Sequence, residues 1–86
     1  MTSPTQRTLA TLREEGWQAE VVERYNSFTK QRKDLFSVID IVACHPHVGI
    51  LGVQATSGPN AAKRVTKALG EPRLIAWLQA GGMFQV

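Results

Sequence analysis

A carboxylate and an amide stand at related positions in two apolar segments of this chain. Asp40 lies within the apolar run 35–44, and Gln54-Ala55-Thr56 ends the next run, which starts at Val48. Burying an acid among apolar residues costs free energy unless a metal ion, a cation or a hydrogen-bond donor offsets its charge. The alternative to a chemical role is a structural one, in which Asp40 pairs with an arginine or caps a backbone group and Gln54 satisfies its neighbours.

The spacing of these residues suits metal-assisted chemistry on a phosphodiester. Such hydrolysis needs hard oxygen ligands that hold a divalent cation against the phosphate, and a positive charge that stabilises the transition state. If the two segments form one hairpin, alternation places Gln54 and Thr56 on one face, near Asp40. Asp40, Gln54 and the backbone carbonyl of Ala55 are then candidate ligands of Mg²⁺ or Mn²⁺. For Thr56 the alternative is structural, since a hydroxyl before a helix often caps it.

The segments that must position these residues alternate between helical and strand patterns. Ser3-Pro4 predicts a capped helix start, and Gly16 predicts its left-handed end. Further helices are expected from Gly58-Pro59-Asn60 and from Glu71-Pro72. Strands are predicted at residues 17–25, 35–44, 48–55 and 83–86, and the polar segment 26–34 is predicted to be a connecting loop. The resulting order, α-β-β-β-α-α-β, indicates an α/β fold around a mixed sheet.

The helix after Asn60 is predicted to be amphipathic. Its apolar positions are Ala61, Ala62, Val65, Ala68 and Leu69, and its basic positions are Lys63, Arg64 and Lys67. We expect the alanine face to pack on the sheet, which would keep Asn60, Lys63 and Lys67 near the strand ends that carry Asp40 and Gln54.

Length and composition limit the class of protein. The 86 residues fit one small domain, and 43% of them are hydrophobic, which is enough for a packed core. No apolar run approaches the roughly 20 residues of a membrane-spanning helix, and the first residues do not resemble a secretory signal, so a cytoplasmic protein is expected. The single cysteine, Cys44, excludes an internal disulfide and is expected to be a buried strand residue.

The formal charge of +3 is unevenly distributed along the chain. Residues 24–33 contain four basic residues and no acid, and Lys63, Arg64 and Lys67 form a second basic cluster. Clustered positive charge suits a polyanion such as nucleic acid. The alternative is an ordinary solvated surface, so the charge alone does not determine the partner.

Three stretches of the chain resemble the restriction-endonuclease-like PD-(D/E)XK nuclease superfamily. They are Arg32-Lys33-Asp34-Leu35-Phe36, Ile39-Asp40-Ile41-Val42-Ala43 and Gly52-Val53-Gln54-Ala55-Thr56-Ser57-Gly58. The chain looks most like the small stand-alone members of phage and bacterial genomes, which share a layout with Holliday-junction resolvases. The resemblance covers most of the chain and implies a restriction-endonuclease-like core, a mixed β-sheet flanked by helices.

The resemblance also implies roles for the residues that match its motif. Asp40 would be the main metal ligand, and Gln54 stands where the family usually has Glu or Asp. Thr56 stands where the family usually has its catalytic lysine. Because a hydroxyl carries no positive charge, Lys63 on the following helix is the candidate to replace that lysine.

Many resolvases carry a further acid in their first helix, and this chain has Gln6 or Arg7 at about that position. Asp34 and Glu20 are therefore the candidates to contribute an acid instead. Each also has a structural alternative: Asp34 could cap the following turn, and Glu20 could lie on a solvated strand face.

The function that the resemblance implies is a Mg²⁺- or Mn²⁺-dependent endonuclease, acting on DNA and in particular on branched or structured DNA. The residues expected to contact the nucleic acid are Lys30, Arg32, Lys33, Asn60, Lys63, Arg64 and Lys67. A homodimer is expected, because small resolvase-like domains reach two strands by pairing. Two alternatives stay open: a nuclease fold that only binds nucleic acid, and a protein-interaction module.

Overall fold

The computed structural model describes residues 3–56 and 58–86; Ser57 and the side chain of Arg32 lie outside the described part. Within these residues, three α-helices and six strands follow one another. They are α1 (Pro4–Glu14), β1 (Gln18–Val21), β2 (Arg24–Asn26), β3 (Gln31–Lys33), β4 (Ile41–His45), β5 (Gly49–Val53), α2 (Ala61–Leu69), α3 (Pro72–Gln79) and β6 (Met83–Gln85), with a 3₁₀ turn at Gly58–Asn60 before α2. None of the helices in this described part has both the length and the hydropathy of a bilayer-crossing segment.

The main sheet has four strands in the order β1-β4-β5-β6. β1 pairs antiparallel with β4, and β4 pairs antiparallel with β5. β6 returns after the two helices and pairs parallel with β5. The predicted α/β class and the mixed sheet are therefore confirmed, and the order α-β-β-β-α-α-β holds once the small hairpin β2–β3 is set aside.

The core lies on both faces of this sheet. One cluster joins α1 to the sheet and consists of Leu9, Leu12, Ala19, Ile41, Ala43, Leu51 and Val53. The other lies toward α2 and α3 and consists of Val38, Ile39, Ala68 and Leu74. Alternation along β4 sends Ile41 and Ala43 to the first cluster and Val42 to the second. The sheet is thus covered by helices on both sides.

The strand predicted for residues 35–44 is shorter than the apolar run. β4 begins only at Ile41, because residues 35–39 form a turn that is closed by a bridge between Leu35 and Ile39. Val38 and Ile39 are fully buried inside this turn. An apolar run does not distinguish a buried turn from a buried strand, which is why the prediction was wrong here. Cys44 does lie on β4, but its side chain is exposed rather than buried.

The segment predicted to be a connecting loop, residues 26–34, contains half of a second, two-stranded sheet. β2 pairs antiparallel with β3, with Tyr25 opposite Arg32. Among the described residues, neither strand contacts any other helix or strand. The hairpin does not bury either face against the core, so its sequence needs no alternation of apolar and polar residues. Its polar and basic residues therefore gave no periodic signal of a strand.

The packing of α2 differs from the prediction. Ala68 is buried and Ala61 is half-buried as expected, but Arg64 is half-buried beside them. Val65 and Leu69 are exposed, at 43% and 75%. The helix is therefore rotated relative to its predicted orientation. Part of its basic face is half-buried, and part of its apolar stripe is exposed to solvent.

Candidate functional site

The backbone of Asp40 is fixed by the strands on either side of it. Its N–H donates to the carbonyl of Val53 at 2.8 Å, and its carbonyl accepts from Val22 N–H at 2.8 Å. The residue lies directly before β4, so these bonds extend the ladders of the sheet by one residue. Asp40 is only 4% exposed. Its position is thus set by three neighbouring segments of the sheet rather than by a flexible loop.

A glycine on β5 allows the residue before Asp40 to approach the sheet. A Cβ atom built on Gly52 would lie 2.7 Å from Cδ1 of Ile39. Real Cβ atoms do not come this close to carbon, so a side chain at position 52 would push Ile39 away. The absence of that side chain therefore helps to hold Asp40 where it is.

The carboxylate of Asp40 receives hydrogen bonds from the residues that follow β5. Its Oδ2 accepts from Nε2 of Gln54 at 3.1 Å and from the backbone N–H of Ala55 at 3.0 Å. Gln54 is 3% exposed, and its own N–H donates to the carbonyl of Gln85 at 2.9 Å. The structure thus brings together Asp40, Gln54 and Ala55 as the hairpin pattern suggests.

The second polar atom of Gln54 is the exception in this network. Its Oε1 is buried and has no hydrogen-bond partner among the described residues. An unsatisfied buried acceptor costs about 1–3 kcal/mol. The lone pairs of this oxygen are therefore available to a hydrogen-bond donor or a cation.

Two further acids accompany Asp40. One carboxylate oxygen from each of Glu23, Asp34 and Asp40 lies within 4.8 Å of the other two. Glu23 and Asp34 are half-buried. Three carboxylates at this distance repel one another unless protons or cations are bound between them.

This crowding perturbs the titration of Asp40. Burial, a hydrogen bond with Asp34 and the negative charges of Asp34 and Glu23 together raise the pKa of Asp40 from 3.8 to about 7. The hydrogen bond from Ala55 N–H acts in the opposite direction and limits the rise in pKa. A carboxyl–carboxyl hydrogen bond requires a proton on one of the two groups, and the raised pKa of Asp40 favours a proton there.

The three acids line one cavity of about 740 Å³, which is also lined by positively charged side chains. Its lining includes the acids Glu23, Asp34 and Asp40 and the basic residues Arg64 and Lys67 from α2. The amino-terminal end of α1, from Ser3 to Gln6, also lines it. A helix amino terminus carries a partial positive charge, so the cavity presents both cation ligands and anion-binding groups.

Most of the residues singled out in the sequence meet in this cavity. They are Asp34, Asp40, Gln54, Ala55, Thr56, Asn60, Arg64 and Lys67. Lys63 is exposed and does not line the cavity, although it lies on the same helix as Arg64 and Lys67. Lys30 and Lys33 are exposed on the β2–β3 hairpin, and the side chain of Arg32 lies outside the described part.

Glu20 lies elsewhere, and Glu23 takes the place that the sequence analysis considered for it. Glu20 is exposed on β1 and lines a different cavity, with Trp17 and Cys44. Glu23 comes just after β1, and Val21 at the end of β1 pairs with Ile41 at the start of β4. Residues that follow β1 and precede β4 therefore meet at one edge of the sheet. This pairing of strand ends is the signal that could have identified Glu23.

No family model, no curated protein and no solved structure matches this chain. The chemistry of the cavity therefore has to be argued from its own residues. Three carboxylates and an amide oxygen are hard ligands suited to a divalent cation such as Mg²⁺ or Mn²⁺. Arg64, Lys67 and the amino terminus of α1 are suited to a phosphate held beside it.

Proposed function

We propose that this protein is a metal-dependent phosphodiesterase of the restriction-endonuclease-like PD-(D/E)XK type that cleaves DNA. The observation that carries the proposal is Gln54, whose buried Oε1 has no hydrogen-bond partner among the described residues while its Nε2 donates to Asp40. The antiparallel order β1-β4-β5, followed by two helices and a parallel β6, supports the same proposal.

The donor atoms fit a divalent cation. Asp40, Asp34 and Glu23 offer carboxylate oxygens, and Gln54 offers the amide oxygen. A cation here would neutralise the repulsion that raises the pKa of Asp40. When bound, it supplies Lewis acidity toward a phosphate oxygen and lowers the pKa of a water ligand.

The residues of the chain itself orient these groups and complement the charge of the substrate. The N–H of Ala55 and the amide of Gln54 hold the carboxylate of Asp40 in place. Arg64 and Lys67 line the same cavity, where they can attract the scissile phosphate. Lys67 is therefore a better candidate than Lys63 for the positive charge that Thr56 does not supply.

The first test is an isothermal titration of Mn²⁺ and Mg²⁺ into the wild type and into Asp40→Asn, followed by incubation with linear and branched DNA. Asp40→Asn should lose metal binding and any metal-dependent cleavage while keeping its fold. The matched control is Glu20→Gln, because Glu20 is an exposed acid on the neighbouring strand β1 and lines a different cavity. Equal metal affinity in Asp40→Asn and Glu20→Gln would overturn the proposed site.

A second candidate function is binding of nucleic acid without hydrolysis. It is favoured by the neutral side chains of Gln54 and Thr56, which stand where the family that the chain resembles has an acid and a lysine. In that case DNA affinity would fall steeply with salt concentration, while no metal-dependent cleavage would be found.

The proposal includes pairing of two copies of the chain. Four exposed apolar side chains on α2 and α3 support it: Val65, Leu69, Ile75 and Leu78. Apolar surface on consecutive helices is typical of an interface that is covered by a partner. A mass of two chains in sedimentation equilibrium would support the dimer, and a mass of one would refute it.

A further inference from the structure

The β2–β3 hairpin exposes two aromatic side chains. Phe28, in the turn between the strands, is 97% exposed, and Tyr25 on β2 is 64% exposed. Large aromatic side chains usually bury most of their surface, and burying a Phe is worth about 1.5–3 kcal/mol. Most of the surface of these two rings is not buried by the fold, so a partner that covers them would gain the free energy of burying it.

The exposure of Phe28 results from a defined turn. Oδ1 of Asn26 accepts hydrogen bonds from the N–H of Phe28 at 2.9 Å and from the N–H of Thr29 at 3.3 Å. Lys30 closes the turn in the left-handed conformation, with φ of 54°. An Asx turn of this kind fixes the backbone without help from the core. It presents the ring of Phe28 outward at the tip of the hairpin.

The charged residues of the hairpin itself are all basic. Residues 24–33 contain four basic residues and no acid. The side chains of Arg24, Lys30 and Lys33 are exposed. Exposed aromatic rings among cations are the combination that proteins use for single-stranded nucleic acid, where the rings stack on bases and the cations contact phosphates.

The hairpin also connects this surface with the acidic cavity. Tyr25 lines the cavity that contains Asp40 and Arg64. Bases inside a duplex are already stacked on their neighbours, so a protein ring can stack on a base only where the base is unpaired. A strand lying along the hairpin from Phe28 to Tyr25 would thus lead to the acids.

We propose that the β2–β3 hairpin binds unpaired nucleotides of a DNA strand. Phe28 and Tyr25 stack on bases, and Arg24, Lys30 and Lys33 contact the phosphates. This assignment rests on the proposed function, because cleavage of the bound strand would require the metal site at Asp40. It narrows the substrate to DNA with a single-stranded segment, such as an end, a flap or a branch. Binding at the hairpin itself requires neither metal nor cleavage.

The test uses fluorescence anisotropy in EDTA, which prevents metal-dependent cleavage. The probes are a labelled oligothymidine and a labelled blunt duplex of the same length, each measured over a series of salt concentrations. The variants are Phe28→Ala, Tyr25→Ala and Lys30→Gln. Val48→Ala is the matched control, because Val48 is an exposed apolar residue in a different turn. Circular dichroism checks that each variant keeps its fold.

Phe28→Ala and Tyr25→Ala should each weaken binding of the single strand about tenfold, because a stacked base contributes about 1–3 kcal/mol. Neither should change the salt slope, whereas Lys30→Gln should reduce it by about one. Phe28→Trp should restore affinity for the single strand, because its ring also stacks. Duplex affinity should respond to the lysine variant and not to the aromatic ones.

Three outcomes would overturn the assignment. Equal affinities of Phe28→Ala and Val48→Ala would show that the ring does not stack. If the aromatic variants lose as much affinity for the duplex as for the single strand, the hairpin contacts only phosphates and does not stack on bases. Weak binding of both probes, unchanged in all variants, would point to a protein partner for the hairpin. None of these results depends on cleavage, so they test the hairpin independently of the proposed metal site at Asp40.

Discussion

The acidic cavity and the β2–β3 hairpin are built in opposite ways. Asp40 is buried, and its backbone is bonded to segments next to β1 and β5. The hairpin is exposed and contacts no other described helix or strand, and its turn is held by the side chain of Asn26. Residues of the cavity are therefore placed by the whole fold, and those of the hairpin by local chemistry. Substitutions in the cavity should change stability and chemistry together, while substitutions in the hairpin should change binding alone.

The largest expected difference in stability separates Gly52→Ala from Phe28→Ala. The added methyl group would collide with Ile39, and overpacking of this kind costs about 1–3 kcal/mol. Phe28→Ala removes a ring that the fold does not bury, so the change should stay within about 0.5 kcal/mol. Urea unfolding monitored by circular dichroism measures both. Similar losses in the two variants would show that the hairpin is part of the cooperative core.

The next effect concerns pH, since only the cavity contains a buried acid with a strongly raised pKa among the described residues. The pKa of Asp40 is about 7 in the folded protein and near 3.8 in an unfolded chain. The folded state therefore holds this proton more tightly. The stability that the proton contributes is complete below pH 4 and is lost as the pH rises through 7.

In EDTA, the free energy of unfolding of the wild type should consequently fall by about 1–2 kcal/mol between pH 6 and pH 8. Asp40→Asn should remove most of this fall and be the more stable protein at pH 8. Glu20→Gln should keep it. A pH profile of Asp40→Asn that parallels the wild type would assign the dependence to other groups.

A smaller effect is expected at the neutral ligand. Gln54→Glu would place a fourth carboxylate beside Asp40, so the affinity for Mn²⁺ should rise about tenfold in calorimetry, which equals roughly 1.4 kcal/mol. The same variant should be less stable than the wild type at pH 8 in EDTA, because a further buried charge is left without a cation. If both quantities stay unchanged, Gln54 does not face the ion.

The proximity of Asp40 and Gln54 was accessible from the sequence, because an antiparallel hairpin with a short turn fixes which residues face each other. Glu23 was missed because the strand predicted at residues 17–25 ends at Val21 in the structure, and alternation no longer applies to the residues after it. The predicted orientation of α2 was wrong because Val65 and Leu69 were placed on its apolar face, whereas both are exposed and Arg64 is half-buried at the acidic cavity. The β2–β3 hairpin left no periodic signal, since its order depends on Asn26 and Lys30 rather than on burial.

During synthesis, Asp40 and Gln54 leave the ribosome well before Gln85. β4 and β5 are joined by a short turn and can pair as soon as both have emerged. The N–H of Gln54, however, has its acceptor on β6, which pairs in parallel with β5 across the crossover formed by α2 and α3. Parallel pairing across a helical crossover is non-local, so we expect it to be a later step of folding. We therefore expect the backbone of Gln54 to be fixed last, after the hairpin that brings it to Asp40 has formed.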